Sequence, residues 1–439
     1  MHSSLLIEDF LYRINGKSIK VDSREIELGD YYIAFKGNTY DGNDFVLEAL
    51  KNGAAGALSD SLSGENILKV DNTKKFILST AKYILKKNEN GKRIAITGST
   101  GKTTTKEILF YLLSKLGKTF KTEGNMNTEI GIPLSLIKDK DAFINSEYSI
   151  FEMGTDKPGD IPDLVNFIHP DISILTNFGT QHRGNFKNIE RHIQEKMSIF
   201  DNNPKLSVSF VNIENDLINK NTDKIKGEVI KYGKENSNFV LKHYEYLNNS
   251  TIFSFEVFNE QKFLKLKGIW NSGQLNDFGA AYLVAKKCGL EEPVFFMINY
   301  VLPYSNRFTL KKIKGRIFID DSYNSSLESL SSATDSISKM NANKKIAVLG
   351  SIFDQGRYSR ESHREIKKYL FPFDEVLLYN PDKQIDEINN HEKIVFLSDR
   401  PYEISKWLLE NTTKGDLIYL KASRAVKIEE VIHFFEELE

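Results

Sequence analysis

Short apolar runs alternate along the chain with segments in which apolar residues recur at helical spacing. The run at residues 94–97 reads Ile-Ala-Ile-Thr and predicts a buried strand, and the segment that begins at Lys102 has helical spacing. The apolar runs at residues 148–151 and 316–319 are also strand-like, and a helical pattern follows the second. Alternation of this kind builds βαβ units around parallel sheets, so we predict an α/β fold.

This pattern and a length of 439 residues predict three domains. Residues 1–75 form a small α/β domain of short strands and helices. Residues 76–302 form a central domain whose parallel sheet includes the run at residues 94–97. Residues 303–439 form a second parallel-sheet domain of the Rossmann-like type.

Two helices and a series of strands are predicted in more detail. The helices cover residues 73–87 and residues 275–287, and Gly289 ends the second one. Strands continue through residues 205–260. On the second helix we interpret Asp277 and Lys286 as part of a solvated face.

Composition narrows the class of protein. The chain has 59 basic and 60 acidic residues, and the net charge of −1 gives no electrostatic case for nucleic acid or an anionic membrane as partner. A single cysteine, Cys288, excludes an internal disulfide and a cysteine-built metal site. The first apolar run, residues 5–7, is interrupted at once by Glu8 and Asp9, too early for a signal peptide or a membrane span. We therefore expect a cytoplasmic protein without a membrane span.

A glycine-rich turn follows the strand at residues 94–97. Its sequence from residue 98 is Gly-Ser-Thr-Gly-Lys-Thr-Thr, and it leads directly into a helix. The backbone N–H groups of such a turn and the helix N-terminus bind phosphate, Lys102 would reach the β/γ-phosphates, and the Thr103 hydroxyl would bind Mg²⁺. The full pattern requires glycine at position 96, where this chain has Ile96, so a plain turn with a solvated lysine is the alternative.

Polar side chains follow two further predicted strands. Glu152, Asn177 and His182 come just after strand ends, where open α/β sheets bind their ligands. A carboxylate at Glu152 suits Mg²⁺ bound with nucleotide phosphates, although a capping or ion-pair role is the alternative. His182 could be a solvated loop residue, because Mg²⁺ prefers oxygen ligands. Lys196, on a predicted helix, has by itself the pattern of an exposed surface lysine.

Taken together, these strings occur in the order seen in the Mur ligases. They are residues 97–104, 123–133, 151–154, 176–177 with His182, 195–196, Arg307, 320–324 and 421–424. The chain resembles this family over essentially its whole length, and within the family it is most similar to the MurF type. In the first domain, residues 22–24, 34–37 and 41–45 look like the part of such ligases that holds the UDP-sugar.

The resemblance implies an ATP-dependent, ADP-forming ligase of peptidoglycan biosynthesis. Such an enzyme adds D-alanyl-D-alanine to UDP-N-acetylmuramoyl-tripeptide through an acyl phosphate, with ATP and Mg²⁺ as cofactors. Its partners would be these small-molecule substrates, and the protein would be a monomer. By the same resemblance the three domains bind the UDP-sugar, ATP and the amino substrate in that order.

The resemblance also assigns roles to particular residues. The catalytic residues would be Lys102, Lys196 and His182. The metal ligands would be Thr103, Glu152, His182 and Lys196, with Lys196 carbamylated. ATP would be held by Gly98, Ser99, Thr100, Gly101, Lys102, Thr103 and Thr104, with Asn271 at adenine, Arg307 at phosphate and Asp321 at ribose. The UDP-sugar would be held by Ser23, Arg24, Lys36, Asp41 and Asn43.

Several positions differ from the usual pattern of the family. Trp270 replaces a histidine, Gln274 an asparagine, Ser351 an acidic residue and Ala422 a glycine. They leave the phosphoryl-transfer residues intact, but they leave open the nucleotide preference and the identity of the amine. Two alternatives remain: a similar amide ligase acting on another acid and amine, and a nucleotide-gated binding protein without ligase chemistry.

Overall fold

The strands of the protein form sheets with helices packed against them, in agreement with the predicted α/β class. The computed structural model describes residues 4–37, 39–181, 183–201 and 207–438. The chain divides into two units. One comprises Met1–Arg93, Gly117–Glu152 and Asn166–Ile168, and the other comprises Ile94–Leu116, Met153–Val165 and His169–Glu439.

The first unit contains a four-stranded parallel sheet in the order β1-β2-β3-β4. Its helices and strands up to residue 85 are α1 (Ser4–Arg13), β1 (Ile19–Lys20), β2 (Tyr31–Ile33), α2 (Val46–Lys51), β3 (Gly56–Ser59), β4 (Ile67–Lys69) and α3 (Thr73–Leu85). The core includes Tyr32, Val46 and Ala49, so the short α2 packs its apolar face against the sheet. The helix predicted over residues 73–87 ends two residues earlier, at Leu85.

The next segment supplies strands to both units. Its elements are β5 (Lys92–Thr97), α4 (Lys102–Leu113), β6 (Thr119–Lys121), α5 (Gly131–Lys138), α6 (Lys140–Ile144), β7 (Tyr148–Glu152), α7 (Asp160–Ile168), β8 (Ile172–Leu175) and α8 (Ile189–Met197). In the first unit β6 and β7 pair in parallel. In the second unit β5 pairs in parallel with β8. The carboxyl ends of β5 and β8 therefore lie at one edge of their sheet.

The sheet of β5 and β8 continues through strands that change direction. The elements are β9 (Val208–Asn212), α9 (Asp216–Asn219), β10 (Glu228–Tyr232), β11 (Phe239–Tyr246), β12 (Ser250–Val257), β13 (Glu260–Lys267), α10 (Ser272–Lys287) and α11 (Pro293–Met297). Strands β9 and β10 are parallel, whereas β11, β12 and β13 are antiparallel. Asn248 and Asn249 have φ of 49° and 56°, the conformation of a two-residue hairpin turn, which explains the reversal between β11 and β12. Phe258 and Asn259, with φ of 48° and 66°, form the turn between β12 and β13.

The remaining residues form a six-stranded sheet in the order β14-β15-β19-β16-β17-β18. The elements are β14 (Thr309–Ile313), β15 (Arg316–Asp320), α12 (Leu327–Ser338), β16 (Lys345–Leu349), α13 (Ser359–Glu365), β17 (Glu375–Tyr379), β18 (Ile394–Ser398), α14 (Pro401–Asn411), β19 (Leu417–Lys421) and α15 (Glu430–Glu437). All neighbours are parallel except β14 and β15. One core contains Leu330 and Ile337 of α12, and the other contains Leu408 of α14 and Phe435 of α15.

The sequence also led to predictions about the domain bounds and about membrane-spanning helices. The domain bounds 1–75, 76–302 and 303–439 stay a prediction. None of the helices within the described ranges combines the length and the apolar character that crossing a bilayer requires.

Candidate active site at the phosphate loop

The glycine-rich loop between β5 and α4 depends on two glycines that pack against polar groups. Gly98 has φ of 154°, and a Cβ there would lie 1.9 Å from Oγ1 of Thr176. Gly101, the N-cap of α4, has φ of 82°, and a Cβ there would lie 2.1 Å from Oδ1 of Asp277. A side chain at either position would expand the loop, so glycine is required to bring the backbone this close to its neighbours.

The segment that follows β8 holds the loop in shape. Oδ1 of Asn177 accepts the Thr100 N–H at 2.9 Å, and Oγ1 of Thr176 donates to the Thr100 carbonyl at 2.6 Å. The N–H of Gly179 donates to Oγ of Ser99 at 2.8 Å. Asn177, which the sequence places after a strand end, therefore shapes the loop through its side chain.

Lys102 opens helix α4 and folds back over the loop. Its Nζ donates to the carbonyl of Gly98 at 2.8 Å and to that of Ser99 at 3.3 Å. The first N–H groups of a helix lack intrahelical acceptors and favour anions, and Lys102 adds a full positive charge at the same place. This combination of a glycine cradle, a helix N-terminus and a lysine fits the phosphates of a nucleotide.

Lys196 lies inside the protein beside the same loop. It is only 2% exposed, and its Nζ lies 3.4 Å from the Gly98 carbonyl that also accepts from Lys102. Burial, reinforced by the Lys102 ammonium, lowers the pKa of Lys196 to about 7. The alternative of an exposed surface lysine is therefore wrong.

Glu195, the neighbour of Lys196 on α8, fixes this helix to α7. Its Oε2 accepts the Gly159 N–H and its Oε1 accepts the Ile161 N–H, both at 2.8 Å. Both donors belong to the N-terminus of α7, where a carboxylate is favourable. Through this cap, α8 is held in the orientation that presents Lys196 to the loop.

Residues from beyond position 303 also reach the loop. Nη2 of Arg307 donates to Oγ1 of Thr103 at 3.3 Å. The Tyr304 hydroxyl donates to Oγ1 of Thr104 at 2.8 Å. The predicted phosphate residue Arg307 is thus brought to the phosphate loop, together with Tyr304, which the sequence did not single out.

The position of Asp277 contradicts the solvated face that the sequence predicted for α10. We predicted a solvated face for Asp277 and Lys286, but Asp277 is 8% exposed and lies against Gly101. Burial raises the pKa of Asp277 well above the usual carboxyl range. Lys286, by contrast, is only partly buried and its Nζ donates to the Glu291 carbonyl. Nothing in the local pattern of α10 separates these two residues, because the neighbour of Asp277 is 176 positions away in sequence.

Asn271 and Asp321 are held by contacts within the protein. Asn271 caps α10, since its Oδ1 accepts the Gln274 N–H at 2.9 Å. Oδ2 of Asp321 accepts from Nζ of Lys421 at 2.5 Å and from the Tyr419 hydroxyl at 3.0 Å. Burial raises the pKa of Asp321, and the Lys421 ammonium opposes that shift.

Of the two other predicted metal ligands, Glu152 lies within the described residues and His182 does not. Glu152 ends β7 and is 2% exposed, and its Oε1 accepts from Nδ2 of Asn127 at 2.9 Å. His182 lies outside the described residues. Within the described part of the chain, no group of three or more His, Cys, Asp or Glu side chains forms a metal cage. Mg²⁺ bound with phosphates needs only one or two protein oxygen ligands and water, and the Thr103 hydroxyl and the Glu152 carboxylate are each, taken singly, a donor of the type that it prefers.

The five predicted UDP-sugar residues lie in the first unit. Ser23 is buried, and Arg24 is exposed and donates to both carboxylate oxygens of Asp22. The ammonium of Lys36 lies 3.8 Å from Asp41. Asn43 is 5% exposed. Its Nδ2 donates to Asp41 and Asp60, and its Oδ1 accepts from Ser59. Asn43 therefore shapes this segment with its hydrogen-bonding atoms already engaged.

Comparison with known proteins places this site in a family. The sequence profile of the Mur ligase middle domain matches residues 96–271, and that of the Mur ligase glutamate ligase domain matches residues 306–424. The crystal structure of MurF ligase from Thermotoga maritima in complex with ADP superposes on this chain with a TM-score of 0.86. The two sequences are 33% identical, and the match covers 99% of each chain. The chain belongs to the Mur ligase family.

Two curated relatives extend along the same length. The UDP-N-acetylmuramoyl-tripeptide–D-alanyl-D-alanine ligase of Borreliella burgdorferi is 29% identical over 97% of this chain and 93% of its own. The ligase of the same name from Bacillus subtilis is 28% identical over 94% of this chain and 92% of its own. This Mur ligase is thus similar to these two ligases over more than nine tenths of its length.

In this Mur ligase the sequence missed several residues at the loop. They are Asp277, Tyr304, Tyr323 and Glu328. Glu328 accepts the Thr180 N–H at 2.8 Å just after β8. Of these four, only Tyr323 lies in a motif that the sequence offered, the string at residues 320–324. The other three become neighbours of the loop only through the fold.

Proposed function

We propose that this Mur ligase is an ATP-dependent, ADP-forming enzyme that joins D-alanyl-D-alanine to UDP-N-acetylmuramoyl-tripeptide in peptidoglycan biosynthesis. The observation that carries the proposal is the phosphate loop, on which Lys102, Lys196 and Arg307 converge from three parts of the chain. The names of the full-length relatives supply the two substrates.

The reaction has two steps. A carboxylate oxygen of the peptide attacks the terminal phosphorus of ATP, the bond to ADP breaks, and an acyl phosphate forms. The amine of D-alanyl-D-alanine then attacks the acyl carbon, inorganic phosphate leaves, and the nitrogen loses a proton as the amide forms. Both steps develop negative charge on phosphoryl oxygens, so fixed positive charge around the loop lowers the barrier.

We assign the ATP phosphates to Gly98, Ser99, Thr100, Gly101, Lys102, Thr103 and Thr104. Lys102 gives up its contact with the loop carbonyls to reach the phosphates, and Arg307 approaches from the side of Thr103. Asn271 remains the candidate residue for binding adenine. Its Oδ1 already caps α10, so its Nδ2 would be the atom that donates a hydrogen bond to the base. Asp321 remains the candidate for ribose, which would share a carboxylate that Lys421 already holds.

We assign Mg²⁺ to Thr103, Glu152, His182 and a carbamylated Lys196. When bound, the metal neutralises charge on the phosphoryl group that is transferred. In carbamylation the Lys196 ammonium first loses one proton, and the neutral amine nitrogen then adds CO₂ and loses a second proton. A buried cation is thereby converted into a carbamate, whose oxygen can be a ligand. The burial of Lys196 next to the half-buried ammonium of Lys102 supports this modification, because a buried cation beside a like charge is unfavourable.

We assign the UDP-sugar to Ser23, Arg24, Lys36, Asp41 and Asn43. Arg24 and Lys36 expose their charges and suit contact with phosphate, whereas Asn43 positions Asp41 through the hydrogen bond between their side chains. The cytoplasmic location and the monomeric state stay predictions.

The test of the function is ADP release from the purified protein with ATP, Mg²⁺, the UDP-linked tripeptide and D-alanyl-D-alanine. We expect ADP and the pentapeptide product in equal amounts, and loss of both in Lys102→Ala. ADP release only with a different acid and amine would favour the broader ligase. Tight ATP binding without ADP release under any substrate pair would favour a binding protein.

A second measurement tests carbamylation separately. Protein incubated with isotope-labelled bicarbonate should show a carbonyl resonance that is absent in Lys196→Met. A mass spectrum without the CO₂ adduct and full activity of Lys196→Met would contradict the assignment.

A further inference from the structure

The guanidinium of Arg307 is stacked on the ring of Tyr323. Cζ of Arg307 lies 3.6 Å from the Tyr323 ring centroid, and the Tyr304 ring is 5.4 Å away. The Asp277 carboxyl interacts with the Arg307 charge at longer range, but among the described residues no carboxylate forms a salt bridge with Arg307, whose side-chain hydrogen bond goes to the Thr103 hydroxyl. The aromatic face is therefore the principal contact that sets the direction of the guanidinium, and a planar cation suits that face.

The backbone around Arg307 is fixed independently. Phe308 has φ of 57°, a strained conformation for a bulky residue, and its N–H donates to Oδ1 of Asp321 at 3.1 Å. The Tyr323 N–H donates to the Asn306 carbonyl at 3.0 Å, and Nε2 of Gln274 donates to the Arg307 carbonyl at 3.0 Å. With the main chain held in this way, the side-chain torsions of Arg307 are the remaining freedom.

The far end of the guanidinium points to the phosphate loop. Its Nη2 contacts Oγ1 of Thr103, one residue beyond Lys102. In loops of this kind, that hydroxyl lies at the terminal-phosphate end of the nucleotide. A cation held there stabilises charge on the group that is transferred, provided that its direction is set before the reaction.

We propose that Tyr323 is a positioning residue, whose ring holds the Arg307 guanidinium toward the terminal phosphate of ATP. This inference rests on the proposed function and adds to it a residue that acts through Arg307 without touching the nucleotide. The aromatic face is the active feature, and the phenol hydroxyl is dispensable.

The test compares Tyr323→Leu with Tyr323→Phe. In Tyr323→Leu, which removes the aromatic ring, kcat should fall about tenfold, and the affinity for a non-hydrolysable ATP analogue should fall by a similar factor. The affinity for ADP should change less than about twofold. The phenylalanine variant should recover kcat and analogue affinity to within about threefold of the wild type. Tyr402→Leu, at an exposed tyrosine of α14, is the matched control and should behave as the wild type.

Three outcomes would overturn the proposal. They are an unchanged kcat and analogue affinity in Tyr323→Leu, an equal loss in Tyr323→Phe, and a loss of ADP affinity as large as that of the ATP analogue. The last of these would indicate a structural role. Because the ratio of analogue to ADP affinity needs no turnover, it tests Tyr323 even if the wild type fails to join the two proposed substrates.

Discussion

His363 makes two hydrogen bonds that only a neutral imidazole can make together. Its Nδ1 lies 2.8 Å from the Ser359 carbonyl, and its Nε2 accepts the Ile352 N–H at 3.0 Å. The acceptor role of Nε2 places the single proton on Nδ1. Burial lowers the pKa of His363 below its usual 6.5, because it disfavours the charged imidazolium. Protonation would also set a second N–H against the Ile352 N–H.

The stability of the protein should therefore depend on pH at this residue. As pH falls below 6.5, the unfolded chain takes up this proton before the folded chain does, so the free energy of unfolding decreases. The slope from one such group is at most about 1.4 kcal/mol per pH unit. Above this range the contribution is constant.

Urea denaturation between about pH 5 and 8 checks this dependence, because that interval brackets the ordinary histidine pKa of about 6.5. His363→Gln should lose part of the decrease at low pH, whereas His433→Gln, at an exposed position on α15, should keep it. Identical pH slopes for His363→Gln and the wild type would rule out the buried neutral imidazole as the cause.

Lys421 and Asp321 form a buried ion pair whose partners depend on each other. Their side chains are 2% and 11% exposed. Lys421→Met should leave the Asp321 carboxylate without its cation and lower the free energy of unfolding by about 3 kcal/mol. Lys74→Met breaks an exposed pair with Glu129 and should cost less than about 1 kcal/mol. A loss of similar size in the two variants, measured by chemical denaturation, would contradict the expected dependence on burial.

Lys196 and Asp277 show what the sequence resolves at the level of single residues. Lys196 was assigned to the site by resemblance, against its own pattern, and it lies beside the loop. Asp277 has no motif, and its burial results from the approach of α10 to Gly101. A local pattern gives the secondary structure around a residue, but the identity of a distant neighbour becomes visible only in the fold.

At the scale of elements, the cap that Glu195 makes on α7 controls how α8 is placed. Glu195→Gln removes the charge and one of the two acceptor oxygens for the Gly159 and Ile161 N–H groups. We expect a loss of about 1–2 kcal/mol in stability, because a charged cap at a helix N-terminus is replaced by a weaker one. We also expect kcat to fall, since Lys196 is the next residue on α8.

Glu190→Gln is the matched control for this change, because Glu190 is exposed on the same helix. It should alter stability by less than about 0.5 kcal/mol and leave kcat unchanged. Thermal denaturation and ADP release measure the two effects. If Glu195→Gln behaves like Glu190→Gln in both assays, the cap does not determine the position of Lys196.

The elements differ in how well the sequence predicts them. The β5–loop–α4 unit follows from adjacent residues, since a β-branched run, a glycine turn and a helix occur within one short segment. The antiparallel order of β11, β12 and β13 was not predicted. It depends on positive φ at Asn248 and Asn249 between β11 and β12, and at Phe258 and Asn259 between β12 and β13. These residue pairs do not by themselves specify the direction of the next strand.

At the scale of the whole molecule, the segment after β8 and the segment after β16 meet through two glycines. The Gly184 N–H donates to the Asp354 carbonyl at 3.0 Å, and a Cβ on Gly184 would lie 2.5 Å from the Gly356 nitrogen. Around this contact the Arg183 guanidinium lies 3.9 Å from the Tyr358 ring centroid. Both segments continue from the carboxyl ends of their strands, so this contact fixes one sheet edge against the other.

Gly184→Ala should separate these segments, because the obstructing atoms belong to the backbone and cannot rotate away. We expect kcat to fall about 10- to 100-fold, the range that a misplacement of about 1 Å produces when groups from two sheets must act on one substrate. The melting temperature should change little, since both cores remain intact. In Gly64→Ala the new Cβ meets only Ile67 side-chain atoms at 3.5 Å or more, and ADP release should match the wild type. Wild-type kcat in Gly184→Ala would show that the reaction tolerates separation of the two edges, and the contact would then have no part in catalysis.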